Sequence, residues 1–120
     1  MPRAQDLIAT SYQRFIAEVP ALDKLKVDVR LELRGRGDVQ IFRVQLPGPE
    51  VTKAEPENAR LEIALPRAKF NELAVDGQLK DWREAYEHGD VKIGGDPAVV
   101  KLVGTVIERH EARARLRKAR

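Results

Sequence analysis

The stretch LKVDVRLELR, at residues 25–34, decides the fold. Its apolar residues alternate with charged ones, and this period of two predicts a β-strand with one buried face and one face in water. The next four residues, GRGD at 35–38, are a turn signal, and residues 39–46 predict the return strand of a hairpin. The apolar positions of the return strand change parity near Ile41 and Phe42, which indicates either a β-bulge or a strand covered on both faces.

Three further strands are predicted after the hairpin. Residues 47–49, Pro-Gly-Pro, mark a corner, and residues 50–55 predict a short polar edge strand. Residues 59–65 alternate again between apolar and polar side chains, and residues 91–93 predict a short fifth strand. Because tight turns join the early strands, we expect those strands to pair antiparallel.

Helical periodicity is found at both ends of the chain. Residues 3–18 carry apolar side chains at steps of three and four, which predicts an amphipathic helix. Two short helices are predicted over residues 66–76 and 79–88, and Asp96 followed by Pro97 is the start signal of a long last helix. The predicted fold class is therefore α+β, a single five-stranded, mostly antiparallel sheet with helices covering one face.

Length and composition fit one domain. The chain has 120 residues, so residues 1–120 are treated as a single domain with its own core. It contains no cysteine, which excludes disulfides and suits a reducing compartment. No secretory signal is visible at the start, no apolar run is long enough to span a membrane, and the last three residues are not a peroxisomal address. We therefore expect a cytoplasmic protein.

The positive charge is concentrated at the end of the chain. Residues 108–120 hold six basic and two acidic side chains, a net charge of +4, which leaves −1 for the rest because the total is +3. The body is therefore not a basic platform for nucleic acid. The basic helical tail, residues 109–120, has three interpretations: a solvated helix end whose cations complement the helix dipole, a weak contact with an anionic membrane, or a contact with nucleic acid.

Few residues are suited to catalysis. Ser11 is the only serine and lies on the apolar stripe of the first helix, and the histidines His88 and His110 fall in no metal-ligand spacing. The glycines of residues 35–37 are followed by a strand, whereas a dinucleotide-binding loop needs a helix there. The glycines before Asp96 could hold an anion, but a cap formed by Asp96 itself is favoured. We therefore predict no enzymatic activity, no metal and no cofactor.

Five segments, taken in order, resemble the sterol carrier protein type 2 (SCP2) domain. They are FRVQL at 42–46, the alternating strand at 59–65, KFNEL at 69–73, DGQL at 76–79 and WREAYEHGDVKIGGD at 82–96. The resemblance covers residues 12–108. It implies a five-stranded sheet with helices packed on one face and an apolar tunnel between them for sterols, fatty acids, acyl-CoA or phospholipids. The missing peroxisomal signal and the arginine-rich tail depart from the carrier proteins and argue against peroxisomal sterol traffic.

The resemblance also implies where a ligand would bind. The three late helices would wall a cavity against the inner face of the sheet, at Leu61 and Ile63. The predicted lining residues are Phe70, Leu73, Leu79, Trp82, Tyr86, Val99, Leu102, Val103, Val106 and Ile107. The alternative is that the same residues form the core of a solid protein.

Two functions follow from these alternatives. The first is the binding of an apolar ligand, such as a lipid, fatty acid, acyl-CoA or sterol, which the protein carries or presents without changing it. The second is an accessory or protein-interaction domain with the same fold and a filled core, assisting enzymes that act on lipophilic substrates. A weak anionic membrane contact through the basic tail is included among the predicted partners, and nucleic acid is not expected.

Overall fold

The computed structural model describes residues 3–118, so Ala119 and Arg120 of the predicted tail lie outside it. In chain order the elements are α1 (Ala4–Glu18), a 3₁₀ helix (Pro20–Lys24), β1 (Asp28–Arg34), β2 (Val39–Gln45), β3 (Glu50–Thr52), β4 (Leu61–Pro66), α2 (Arg67–Asp76), α3 (Leu79–Glu87), β5 (Lys92–Gly95) and α4 (Pro97–Lys118). The five strands form a single sheet. The predicted α+β class is confirmed.

β1 begins later than the alternating pattern predicts. The strand starts at Asp28, although alternation begins at Leu25. The reason is the preceding 3₁₀ helix, which ends when the N–H of Leu25 donates to the carbonyl of Leu22. This local hydrogen bond holds Leu25 back from the sheet while its side chain stays buried.

The strand order is β3-β2-β1-β4-β5, and neighbours pair antiparallel except for β1 and β4. Those two run parallel, from Val29 beside Leu61 to Arg34 beside Pro66. The expectation that tight turns make all the early strands antiparallel neighbours is wrong for β4, because the segment after β3 crosses to the far side of β1. The physical reason is apolar area. Three apolar side chains of β4 lie beside three apolar side chains of β1, whereas the three-residue β3 has a single apolar side chain.

The β1–β2 hairpin is paired without a break. The register runs residue by residue from Asp28 beside Gln45 to Arg34 beside Val39, so the predicted bulge is wrong. The change of parity has another cause. The outward-facing apolar residues Val39 and Ile41 remain partly or largely exposed, while the buried set of β2 starts at Phe42.

The core lies between the helices and one face of the sheet. Its largest fully buried side chains are Phe42, Leu33, Leu65 and Val19. Full burial of an apolar side chain of this size stabilises the folded state by about 1.5–3 kcal/mol. Because β1, β2 and β4 supply three of these four residues, the sheet is the rigid support on which the helices rest.

The opposite face of the sheet is charged. Nε of Arg30 on β1 donates to Oε1 of Glu55 at 2.8 Å, and Nη2 of Arg43 on β2 lies 2.8 Å from Oδ2 of Asp28. Such partly exposed ion pairs contribute little to stability, but they keep this face in water. The predicted division into one wet and one covered face is therefore confirmed.

α4 begins at a side-chain cap. Oδ1 of Asp96 accepts the N–H of Ala98 at 2.9 Å, and Oδ2 lies 2.8 Å from Nη2 of Arg60. The Arg60 guanidinium, together with the hydrogen bond from Ala98, lowers the pKa of the Asp96 carboxyl. The predicted cap is present, and its carboxylate takes the place that an anion would have at this helix end.

Replacing Asp96 by alanine is expected to lower the melting temperature at neutral pH, because α4 loses its cap and Arg60 loses its partner. The pKa is lowered in the folded state, so this stabilisation is complete above the unfolded-state pKa and is lost as the pH falls through the folded-state value. The difference in melting temperature between native protein and variant should therefore shrink only in strong acid, which calorimetry across pH checks. Asp96→Asn keeps a capping oxygen and should lie between the two. A difference that persists unchanged in strong acid would contradict the assignment.

Candidate ligand-binding site

The ten predicted lining residues fall into three classes of exposure. Four are buried, namely Phe70, Leu73, Leu79 and Val99. Four are half-buried and pack against the core, namely Trp82, Val103, Val106 and Ile107. Two are about half exposed, Tyr86 at 52% and Leu102 at 51%. The first four belong to the protein's own core and the last two are largely open to solvent, so a ligand between the helices and the sheet would meet mainly the four half-buried residues.

Trp82 joins three helices. Its ring centroid on α3 lies 5.3 Å from that of Phe15 on α1, with the planes tilted by 59°. The ring of Phe70 on α2 meets it edge to face, at 6.3 Å. Both distances lie in the favourable range for aromatic pairs. The half-buried indole is therefore held in place on one side and in contact with solvent on another.

Two polar contacts tie α3 to other helices, one at its first residue and one at its middle. The N–H of Leu79, the first residue of α3, donates to Oε2 of Glu18 at 2.9 Å, which ties α3 to the end of α1. Arg83 donates to Glu111, which ties α3 to α4. Both side chains of the second pair are partly exposed, so this link to α4 is a weak one.

The carboxyl end of α3 is covered on one side only. Ala85 is a core residue at 2% exposure, whereas Tyr86, one turn after Trp82, is half exposed. Gly89 then takes a φ of 83° and turns the chain toward β5. Helix α3 is therefore packed on the core at both Leu79 and Ala85, with the ring of Tyr86 partly in solvent.

The apolar face of the sheet loses its cover toward β5. Phe42, Leu31, Ile63 and Ile93 lie side by side across four strands, and directly opposed residues point to the same face. Phe42 is 1% exposed and Leu31 is buried, but Ile63 is half-buried and Ile93 is 38% exposed. The helical layer therefore covers β2, β1 and, at Leu61 and Leu65, both ends of β4. Apolar surface is partly open at Ile63 and Ile93, toward the edge strand β5, against which α4 packs.

An open depression elsewhere on the surface has a different character. It has a volume of about 390 Å³ and lies between α1 and β3, and its lining is mainly polar. The residues around it are Arg3, Gln5, Asp6, Ala9, Pro49, Val51, Thr52 and Lys53. It includes none of the predicted lining residues.

No protein-family model and no curated protein matches the chain. The crystal structure of Sterol Carrier Protein 2 Like 2 from Aedes aegypti aligns with 87% of this chain and 99% of that one, at a TM-score of 0.57 and 16% identity. Palmitated SCP2L2 from Aedes aegypti, solved in solution, aligns with 82% and 93%, at 0.57 and 17%. Sterol carrier protein domain 2 of Helicoverpa armigera aligns with 88% and 84%, at 0.60 and 12%. The chain has the SCP2 fold.

The SCP2 fold confirms the resemblance drawn from the ordered segments of the sequence. Two further residues of the site were not singled out from the sequence, Phe15 and Ile93. Helical spacing marked Phe15 as apolar and alternation marked Ile93, but neither pattern shows what packs against them.

Two polar side chains of α1, Ser11 and Tyr12, lie in or beside the core. Ser11 is buried on α1, and its hydroxyl oxygen has no partner among residues 3–118. The hydroxyl of Tyr12 donates to the carbonyl of Leu22 at 3.1 Å, and burial, with a smaller effect of Asp23, raises the pKa of Tyr12. Over the described residues, no three acidic or histidine side chains come together as metal ligands, and no helix is long and apolar enough to cross a bilayer.

Proposed function

We propose that the protein binds an apolar lipid chain at the β4–β5 end of the covered sheet face and carries or presents it without changing it. The observation that carries the proposal is the loss of cover along the row from Phe42 to Ile93. The half-buried Val103 of α4 and Trp82 of α3 supply apolar surface on the helical side. The proposed ligands are fatty acids, acyl-CoA and sterol-like lipids.

The energetics suit a long alkyl chain. Each CH₂ group removed from water contributes about 0.8 kcal/mol, so a chain of many such groups needs few polar contacts to be held. The partial exposure of Ile63 and Ile93 gives such a chain a way to the sheet without unfolding the buried core. The palmitated Aedes aegypti protein of the same fold supports a fatty acid as the first ligand to test. The proposal includes a non-catalytic role and a cytoplasmic location, which a cysteine-free composition favours.

The burial of four of the predicted lining residues favours a second candidate. Phe70, Leu73, Leu79 and Val99 are already covered by protein, as expected for an accessory or protein-interaction domain whose core is filled. Such a domain would assist enzymes acting on lipophilic substrates without holding a lipid itself. The two candidates differ in one measurable respect, the uptake of a ligand.

Titration with palmitate is expected to shift the emission of Trp82 to shorter wavelength in a saturable way, because the ligand would displace water from the half-buried indole. Trp82 is the only tryptophan, so the signal has a single source. Butyrate is the matched control, since its short chain buries too few CH₂ groups to bind. Native mass spectrometry of protein purified from cells should show a lipid adduct. Unaltered emission together with a ligand-free mass would support the filled-core domain instead.

A further inference from the structure

We propose that α4 docks the protein onto the surface of an anionic lipid bilayer through one side of the helix. This side, the arginine–leucine stripe, consists of Leu102, Arg109, Arg113, Leu116 and Arg117. It adjoins the side of α4 that packs on the core through Val103 and Ile107, and Val106 of that packed side falls within the same arc. The five members of the stripe are themselves exposed to solvent. The stripe is therefore a second surface, distinct from the proposed ligand site.

The helical repeat places the five residues of the stripe together. At about 100° per residue they fall within an arc of about 100°. Leu102 and Leu116 stand two heptads apart, so they lie about 40° from each other around the helix and about 21 Å apart along it. Arg109 and Arg113 lie between them. The stripe is thus a straight strip of surface along most of α4.

The two leucines of the stripe are unusually exposed. Leu102 is 51% exposed and Leu116 is 68% exposed, and the three arginines are exposed as well. Val99 on the same helix is only 5% exposed. The described residues 3–118 therefore cover the two leucines far less than they cover Val99. Exposed leucines bordered by arginine are typical of helices that lie in a membrane interface, where the leucines enter the acyl boundary and the arginines stay at the headgroups.

The positive charge of the stripe is not neutralised by the described part of the protein. No ion pair is found there for Arg109, Arg113 or Arg117. The acidic residues of the same segment, Glu108 and Glu111, lie on the other side of the helix by the 100° repeat, and Glu111 is already bonded to Arg83. The segregation leaves one cationic side, which an anionic surface complements.

A bilayer surface explains the stripe better than a nucleic acid does. Phosphate backbones are bound by cations alone, and they give no reason for two exposed leucines in line with the arginines. The helix does not cross the bilayer, since no described helix is apolar enough. Docking through the stripe also brings Val103, a residue of the proposed ligand site, close to the bilayer. This one consequence rests on the proposed function.

The test compares two charge variants of equal size on the same helix. Arg109→Gln/Arg113→Gln removes two cations from the stripe, and Lys101→Gln/Arg115→Gln removes two exposed cations from its other sides. Binding is measured by co-sedimentation with vesicles of equimolar phosphatidylcholine and phosphatidylserine, and with phosphatidylcholine alone. The stripe variant should bind the anionic vesicles roughly 25-fold more weakly, about fivefold per arginine. The matched variant should lose much less, and neither protein should bind neutral vesicles well.

A second pair of variants tests the leucines. Leu102→Ser/Leu116→Ser should weaken binding to the anionic vesicles by roughly tenfold or more, because two apolar side chains no longer enter the bilayer. Val75→Ser, at an exposed apolar position on α2, should change nothing. Equal losses for the two charge variants, or unchanged binding of the leucine variant combined with stripe-dependent binding to duplex DNA, would overturn the proposal.

Palmitate titration of the same variants separates this proposal from the proposed function. Stripe variants that lose vesicle binding should still take up palmitate as the native protein does. Vesicle binding through the stripe without any palmitate uptake would refute the ligand site and leave the docking surface standing. Palmitate uptake combined with vesicle binding that neither stripe variant changes would refute the docking surface and leave the ligand site standing.

Discussion

Replacing Phe42 by alanine is expected to lower the free energy of unfolding by about 3–5 kcal/mol. Phe42 is 1% exposed and lies opposite Leu31 in the middle of the covered sheet face. The variant loses the transfer free energy of the ring and leaves a cavity that the paired strands cannot close, because their hydrogen bonds fix the backbone spacing. Urea unfolding followed by circular dichroism measures the change, and the slope against denaturant should stay the same.

Val39→Ala is the matched control for that experiment. Val39 lies on the same strand but on the outward face, and it is 52% exposed. Its loss should change the free energy of unfolding by about 0.5 kcal/mol or less. A larger effect of Val39→Ala than of Phe42→Ala would mean that β2 is displaced by one residue, since a slip of one position exchanges its two faces.

Replacing Val103 by tryptophan is expected to abolish palmitate binding. Val103 is half-buried on the inner side of α4 and packs against the core, so the larger indole would fill the space that the alkyl chain needs. Overpacking costs about 1–3 kcal/mol of stability, which a domain of this size can tolerate. Because the variant adds a second tryptophan, calorimetric titration and native mass spectrometry replace fluorescence as the measurement.

Leu102→Trp makes the same change one residue earlier. Leu102 was predicted to line the ligand site, but half of it is exposed on the flank of α4, so the substitution should leave palmitate binding close to the native value. Native-like binding by the Val103 variant would show that the ligand lies elsewhere. Unfolding of that variant, with no binding by the native protein, would identify Val103 as solid core.

Much of the fold follows from local patterns. The alternation at residues 25–34, the helical spacing of residues 3–18 and the Asp96-Pro97 start signal each report a period or a hydrogen bond formed within a few residues. Such signals are independent of distant parts of the chain. They therefore predicted the type and order of the α-helices and strands, but not the 3₁₀ helix that takes Leu25 from β1 or the extension of β5 to Gly95.

Local patterns do not predict strand partners, because segments that are distant in sequence compete for the same strand edge. The second edge of β1 was open to any strand with apolar residues on one face, and β4 meets that condition with three of them, one more than β2 places opposite β1. No pattern in residues 53–60 indicates that the chain passes there from the β3 edge of the sheet to the other side of β1. The parallel pairing of β1 with β4 became visible only with the complete set of strands in place.

The site was predicted in its composition more than in its geometry. Periodicity grouped apolar residues along the late helices, yet it gave Tyr86 and Phe70 the same weight. The first is half exposed and the second is core. The difference depends on how far α3 extends beyond the helices beneath it, which is a property of packing. For the same reason the alternation in β5 indicated the face of Ile93 without indicating how little covers it.

The position of β1 between β2 and β4 also bears on synthesis. When the nascent chain has emerged from the ribosome as far as Thr52, α1 and the strands β1, β2 and β3 are outside the exit tunnel, but the second edge of β1 has no neighbour until residues 61–66 follow. An unpaired edge of an apolar strand is a template for other chains. We therefore expect the nascent protein to be most prone to pairing with other chains until β4 has left the exit tunnel.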